Sequence, residues 1–310
     1  MKTIKVDSHV HLVTAKMLMQ VSSRFSKIKS NILERAESMG RKFVNPDFVE
    51  FLNNTSIPDF ARLWERELDK NNIDHALFLP ISGGSNEQLD EFVSINPERF
   101  SAYVFLENPK SRSGVKKFEK LIKTGSFVGI KLYPSIQNFS VADKALFPLY
   151  EKAAELATPL LIHFGITHAP LSDYRFTNPL DLQLPSKMFP ETNFIIAHFG
   201  AGFFRELLLL GFHSENIYVD TSGTNNWRKY QPKVMPLKDV FKRTLEVYGP
   251  SKVLYGTDTI INDASRYRQF VLREQTKVMR DLKLPKKDRD LIMGRNAFDL
   301  FGLHDRMILN

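Results

Sequence analysis

Eight short runs of apolar or β-branched residues punctuate the chain, at 4–12, 75–80, 101–107, 127–134, 159–165, 193–200, 216–223 and 252–258. Most are apolar at consecutive positions, the pattern of a strand covered on both faces. Between them the period changes. "GVKKFEKLIKT" (114–124) and "ADKALFPLYEKAAELA" (142–157) repeat apolar residues at i, i+3 and i+4, which predicts helices. From the second run onward the spacing is roughly 25–35 residues, the length of a strand–helix unit. Eight strands alternating with helices predict an α/β protein of the (β/α)8 TIM-type barrel class. An open doubly wound sheet is the alternative, and the lack of a GxGxxG after the first run counts against it.

The regular spacing breaks once, over 13–74, where two helical stretches, "MLMQVSSRFSKIKSNILERAESMG" and "IPDFARLWERELDKNN", stand between the first two runs. A loop that follows a barrel strand lies over the active face, so 13–74 is expected to form a helical insertion or lid. A plain extension of the core or a dimer contact competes evenly with that reading. The tail, 285–310, is expected to cap the barrel with two short helices, the second starting at Asn296. The whole of 1–310 is read as one domain.

Composition narrows the chemistry. The 310 residues are 43% hydrophobic and 25% charged, which suffices for one large core. The net charge of +8 comes from scattered basic residues that acidic ones interrupt. No nucleic-acid motif accompanies it, so a solvated surface with a weak pull on anionic substrates is expected. There is no cysteine, which excludes disulfides, thiolate metal sites and cysteine nucleophiles. "MKTIKVDSHVHL" lacks an apolar signal core, and no window reaches 18 uninterrupted apolar residues. The expectation is a cytoplasmic protein without membrane contact, acting on a small molecule.

The strand ends carry the chemistry. In "DSHVHL", His9 and His11 alternate onto one face, with Cβ atoms about 6–7 Å apart, close enough for two imidazoles to converge on one ion. The fifth run closes on His163, the sixth on His198 and the eighth on Asp258, while Lys131 sits near the end of the fourth. A single histidine at a strand end is usually a satisfied core residue. Four at the mouth of one barrel, with an aspartate, would each cost several kcal/mol to bury without a shared cation. Asp7 shares the parity of His9 and His11 and reads as a hydrogen-bonding layer residue deeper in the barrel. Asp220 and Ser222 end the seventh run, where they can support a histidine. Tyr133, Arg175, Trp227 and Arg228 follow strand ends and are candidates for substrate contact.

"DSHVHL", "GIKLYP", "PLLIHFG", "FIIAHFG" and "VLYGTD" together resemble the signature strands of the amidohydrolase superfamily. The resemblance is greatest to the amidohydrolase-related branch, which also holds aminocarboxymuconate-semialdehyde decarboxylase. It extends over nearly the whole chain. It implies that His9, His11, His163 and Asp258 hold one divalent metal, zinc by default with manganese or iron also fitting. Asp258 and His198 would then be catalytic, moving protons. With two metals, His198 would join the second ion and a carboxylated Lys131 would bridge both; one metal is favoured. A homodimer is implied by the family alone.

The expected reaction is hydrolysis, in which a metal-bound hydroxide attacks an amide, ester or lactone carbonyl of a small molecule. Decarboxylation of a small aromatic or unsaturated carboxylic acid would use the same residues and is the alternative. A non-catalytic metal-binding barrel is the third reading.

Overall fold

The computed structural model describes residues 3–25, 46–81, 85–167, 169, 172–261 and 266–307. All eight apolar runs form strands: β1 (Val6–His11), β2 (His75–Leu79), β3 (Phe100–Phe105), β4 (Phe127–Leu132), β5 (Leu160–Ile162), β6 (Phe194–Ile196), β7 (Ile217–Asp220) and an eighth in two pieces, β8 (Val253–Leu254) and β9 (Thr259–Ile260). Every pairing is parallel, and the order runs β8-β7-β6-β5-β4-β3-β2-β1-β9. The split eighth strand closes the ring. β8 pairs with β7 and β9 pairs with β1. Between them the Ser8 amide donates to the Tyr255 carbonyl, and the Asp258 amide donates to the His9 carbonyl. The fold is a (β/α)8 TIM-type barrel with a helical insertion after the first strand.

Two apolar layers follow from alternation along the strands. Leu77, Leu79, Leu161, Ile195 and Leu254 fill the barrel interior. Ala76, Phe78, Ile130, Leu160 and Ile196 face outward against the helices. The tail closes the lower end, where Phe298, Phe301 and Leu303 join the interior cluster. Its helices, Lys286–Asp290 and Asn296–Leu300, are joined through a π-helical turn, Leu291–Arg295. Asn296 starts the second helix as expected, but as a continuation of the π-helical turn rather than as a capping residue. Its amide instead donates to the carbonyls of Pro250 and Val253, tying the tail to the eighth strand.

The long β1–β2 connection holds helices Ala15–Phe25, Pro46–Asn53 and Ile57–Asn71. Residues 26–45, part of the expected first helical stretch, lie outside the described residues. Helix Ile57–Asn71 opens on a Ser56–Asp59 capping box and ends on Asn72 in the left-handed region. Phe60, Trp64 and Leu68 enter the outer core, so this helix is the crossover layer between β1 and β2. The expected single helix over 142–157 is a 3-10 turn, Lys144–Leu146, followed by Phe147–Glu155. Pro148 explains the break, because proline has no N–H to continue a helix from the preceding turn. Among the described residues no helix is long and apolar enough to cross a membrane.

Candidate metal centre

β1 carries a bulge that decides which side chains reach the site. Asp7 pairs with Ala76 and Val10 with Phe78, so three residues of β1 advance against two of β2. The extra residue reverses parity. Val6 belongs to the interior cluster and Val10 to the outer one, although they are four residues apart. Asp7 therefore does not share the face of His9 and His11, against the expectation from plain alternation. It points outward and accepts hydrogen bonds from Tyr267 Oη (2.6 Å), Thr257 Oγ1 (2.6 Å) and the amides of Thr257 and His9. Burial pushes its carboxyl up to about 7 against those four donors. The network holds Thr257 beside Asp258, so Asp7 supports the site from behind.

His9 and His11 both face the mouth of the barrel. His9 Nδ1 donates to Asp220 Oδ2 at 2.6 Å, and Ser222 Oγ lies 2.7 Å from the same oxygen. The Ser222 amide donates to Asp220 Oδ1 at 2.8 Å. With Nδ1 protonated, His9 presents the lone pair of Nε2, which is buried and has no hydrogen-bond partner. His11 Nδ1 is buried and unpartnered in the same way, while its Nε2 lies 3.2 Å from Asp258 Oδ1. His9 Nε2 is 3.7 Å from that oxygen.

Asp258 sits in the gap between β8 and β9 with φ +57°, a left-handed conformation that turns its carboxylate inward. Gly256 makes this path possible. A Cβ there would stand 2.9 Å from Asp220 Oδ1, His9 Cβ and Ser222 Cβ. Burial pushes the Asp258 carboxyl up, but His11 and the neighbouring histidines outweigh it and hold the group well below the usual carboxylate range. Arg268 adds a contact that the strand-end reading missed, its Nη1 donating to Asp258 Oδ2 at 3.0 Å. Its signal, "SRYRQF", lies beyond the eighth strand and has no spacing that marks it.

The two "HFG" segments meet. Residues 198–202 all have positive φ, including His198 (55°), Phe199 (52°) and Ala201 (41°), so β6 ends in a left-handed turn. That costs about 1–2 kcal/mol per non-glycine residue, the kind of strain that functional sites retain. The Ile166 amide donates to the Ala201 carbonyl at 2.8 Å, locking the β5 turn onto the β6 turn. The His163 and His198 rings are 5.0 Å apart. His198 Nδ1 donates to Ser222, with the carbonyl at 3.2 Å and Oγ at 2.8 Å, which leaves its Nε2 lone pair free. His163 Nε2 donates to the Ile166 carbonyl over 3.2 Å. Burial pushes the imidazoles of His9 and His163 well below their ordinary value, and that of His198 down to about 4. All three are neutral near pH 7, as metal ligation requires.

Among the described residues, His9, His198 and Asp258 form a donor set that could hold a metal, their ligand atoms lying within 4.8 Å of one another. The sequence expectation had His163 on the ion and His198 off it. Lys131 projects from β4 into the interior. It is fully buried, and its Nζ has no hydrogen-bond partner. It lies 4.6 Å from the centre of the Tyr133 ring, while Tyr133 Oη donates to the Pro80 carbonyl. Burial drives the Lys131 ammonium down, and Asp220 and Asp258 oppose that shift. The other candidates stand apart from this cluster. Arg175 is exposed and paired with Asp173. Trp227 is packed in the outer core, where its Nε1 donates to Asn225 Oδ1. Arg228 holds its own loop through the carbonyls of Asn225 and Met235.

Comparison with known proteins agrees with this fold and gives the family. The model of the Amidohydrolase family (Amidohydro_2) matches residues 6–303, and the chain belongs to that family of enzymes. A curated relative, the 2-amino-3-carboxymuconate-6-semialdehyde decarboxylase of Dictyostelium discoideum, is 23% identical over 154 residues. That stretch is 49% of this chain and 40% of the relative, so the match spans less than half of either protein. Among solved structures, dihydroxybenzoic acid decarboxylase from Polaromonas sp. JS666, with bound manganese and 2-nitroresorcinol, superposes with a TM-score of 0.68 at 17% identity. The match covers 99% of this chain and 100% of that one. 5-Carboxyvanillate decarboxylase from Novosphingobium aromaticivorans, with bound manganese, gives 0.69 at 14% identity, covering 97% of each chain. A probable 2-pyrone-4,6-dicarboxylic acid hydrolase from Acinetobacter baumannii gives 0.62 at 15% identity, covering 96% and 99%.

Proposed function

We propose that this chain is a metal-dependent decarboxylase of a small aromatic or unsaturated carboxylic acid. The observation that carries the reading is the charge arrangement of the site. Two basic side chains, Lys131 and Arg268, flank a cluster of neutral imidazoles and the carboxyl groups of Asp220 and Asp258. Such a site can receive an anionic substrate and move one proton. The decarboxylase names among the relatives support the choice over hydrolysis.

The residues fit a metal. Two buried imidazole nitrogens, on His9 and His11, have no protein partner, and a carboxylate oxygen lies within 3.7 Å of both residues. In this proposal His9, His11, His163 and Asp258 hold a single divalent ion. His163 is bound by one long contact to a backbone carbonyl, so its ring can turn toward the ion. Ser222 pins His198 through two contacts to the same nitrogen, which suits a fixed proton carrier. When bound, the ion would supply Lewis acidity to a substrate oxygen. Zinc and manganese both suit the donor set, and elemental analysis of the purified protein reads which is present.

His198 presents a lone pair at Nε2. It takes a proton from a substrate hydroxyl or water and delivers it to the ring or chain carbon. The bond from that carbon to the carboxylate breaks, its electron pair stays on the carbon, and CO2 leaves. Proton and charge balance, because one carboxylate and one proton give one C–H bond and CO2. Asp258, held ionised, steadies the cluster with Arg268 at its outer oxygen. Hydrolysis of a carboxylate-bearing lactone is the second reading, supported by the hydrolase name among the similar structures. The test is a screen of metal-loaded protein for CO2 release from hydroxybenzoates and muconate-type acids, beside lactone and amide hydrolysis. Hydrolysis without CO2 release would replace the first reading with the second.

A further inference from the structure

Lys131 is the one ionisable group at the site whose hydrogen-bonding demand the described residues leave wholly unmet. It stands on the inner face of β4, paired in register with Leu161 of the interior cluster. Its side chain is fully buried and its Nζ has no partner. The nearby acceptors are committed. Asp220 already receives His9 Nδ1 and the amide of Ser222, with Ser222 Oγ also at 2.7 Å. Asp258 faces His11 with one oxygen and Arg268 with the other. Among the described residues the Tyr133 ring face stands 4.6 Å from Nζ, and Asp220 and Asp258 act on the amine through space without a hydrogen bond to it. A buried amine left without a hydrogen-bond partner is costly unless something else completes it.

The geometry points to Lys131 as the receptor for a carboxylate of the substrate, seated beside Tyr133 and facing the histidine cluster. This rests on the site proposed above and adds the residue that receives the substrate's carboxylate where it enters the barrel mouth. It also assigns Lys131 a role other than a carboxylated bridge between two metals. Tyr133 lies between Lys131 and His163, its ring 6.1 Å from that imidazole, so a planar acid could lie along the same wall.

The test uses the full chain as purified, with benzoate as the anionic probe and benzamide as its neutral counterpart. Calorimetry measures both affinities, and elemental analysis measures metal in the same samples. The wild type is expected to prefer benzoate. Lys131→Met, close in length and apolar, should lose benzoate affinity at least about tenfold, the loss of one charge-assisted hydrogen bond, with benzamide affinity and metal content unchanged. Two results overturn the inference: benzoate bound equally by wild type and variant, or metal lost together with benzoate binding, as a bridging lysine requires. If Lys131→Met does not fold, Lys131→Gln is read in the same way. A wild type that fails to prefer benzoate over benzamide overturns the inference without any variant. A wild type that prefers benzoate yet releases no CO2 from any acid leaves Lys131 in this role and removes the decarboxylase reading alone.

Discussion

His9 and Asp220 are joined across 2.6 Å, from Nδ1 to Oδ2, with both side chains about 1% exposed. The bond fixes the tautomer of His9 and aims its unpartnered Nε2 into the mouth of the barrel. A carboxylate that orients a metal-ligating histidine is typically worth 10–100-fold in metal affinity. Asp220 uses both oxygens as acceptors, Oδ1 from the Ser222 amide and Oδ2 from His9. Asparagine has one carbonyl oxygen, so its NH2 must face one of those donors. Asp220→Asn should therefore weaken metal binding about 10–100-fold, measured by competition against a chelating indicator. Unchanged affinity would remove Asp220 from this role.

His163 and His198, 5.0 Å apart, are expected to separate in a metal assay. His163→Ala should lower bound metal and activity together. His198→Ala should keep the metal and slow turnover by about 10²–10⁴, the usual contribution of a positioned acid or base. Elemental analysis and turnover on the same samples decide it. If metal falls in His198→Ala and holds in His163→Ala, the donor set His9, His198 and Asp258 is the ligand set.

The strand ends were legible because periodicity and chemistry coincided there. An apolar run that stops at a histidine marks both a barrel strand and its mouth, so His9, His11, His163, His198 and Asp258 could be found without coordinates. Asp7 was misplaced because a bulge adds one residue without altering the apolar pattern around it. Arg268 was missed because a loop residue acquires its role from where the chain returns, and spacing does not encode that. Lys131 was located, but its lack of a partner depends on how Asp220 and Asp258 spend their oxygens, a tertiary property. Arg175 and Arg228 looked equally suitable, and local pairing with Asp173 and with backbone carbonyls claims them instead.

His75 sets an acid limit on stability away from the site. Its Nδ1 donates to the Glu98 carbonyl at 2.9 Å, and its Nε2 lies 2.8 Å from Ser101 Oγ, at the opposite end of the strands. Burial, with Arg306 and Arg99 nearby, pushes its imidazole down to about 4 from an ordinary 6.5. The folded state thus keeps His75 neutral where the unfolded chain takes up a proton. The stabilisation is complete above 6.5 and is lost as pH falls towards 4, reaching about 3 kcal/mol. Denaturant unfolding of wild type and His75→Gln between pH 7.5 and 4 should show their stability difference shrinking with acid. A difference that stays constant would mean that His75 does not titrate this way.

Gly165→Ala tests the contact between the two "HFG" turns. Gly165 has φ +74°, and a Cβ there would stand 2.2 Å from the Ala201 carbonyl oxygen and 2.5 Å from that of Gly200. Both are backbone atoms, so no side chain can swing aside. The left-handed conformation costs alanine about 1–2 kcal/mol, and overpacking adds roughly 1–3. A loss of about 3 kcal/mol is expected in denaturant unfolding. Relief of the clash must move the 198–202 turn, which carries His198 away from Ser222. Turnover should therefore fall further than the folded fraction does. An alanine variant with wild-type stability and turnover would show that the β5 and β6 turns are not packed together as described, and with them the placement of His163 against His198.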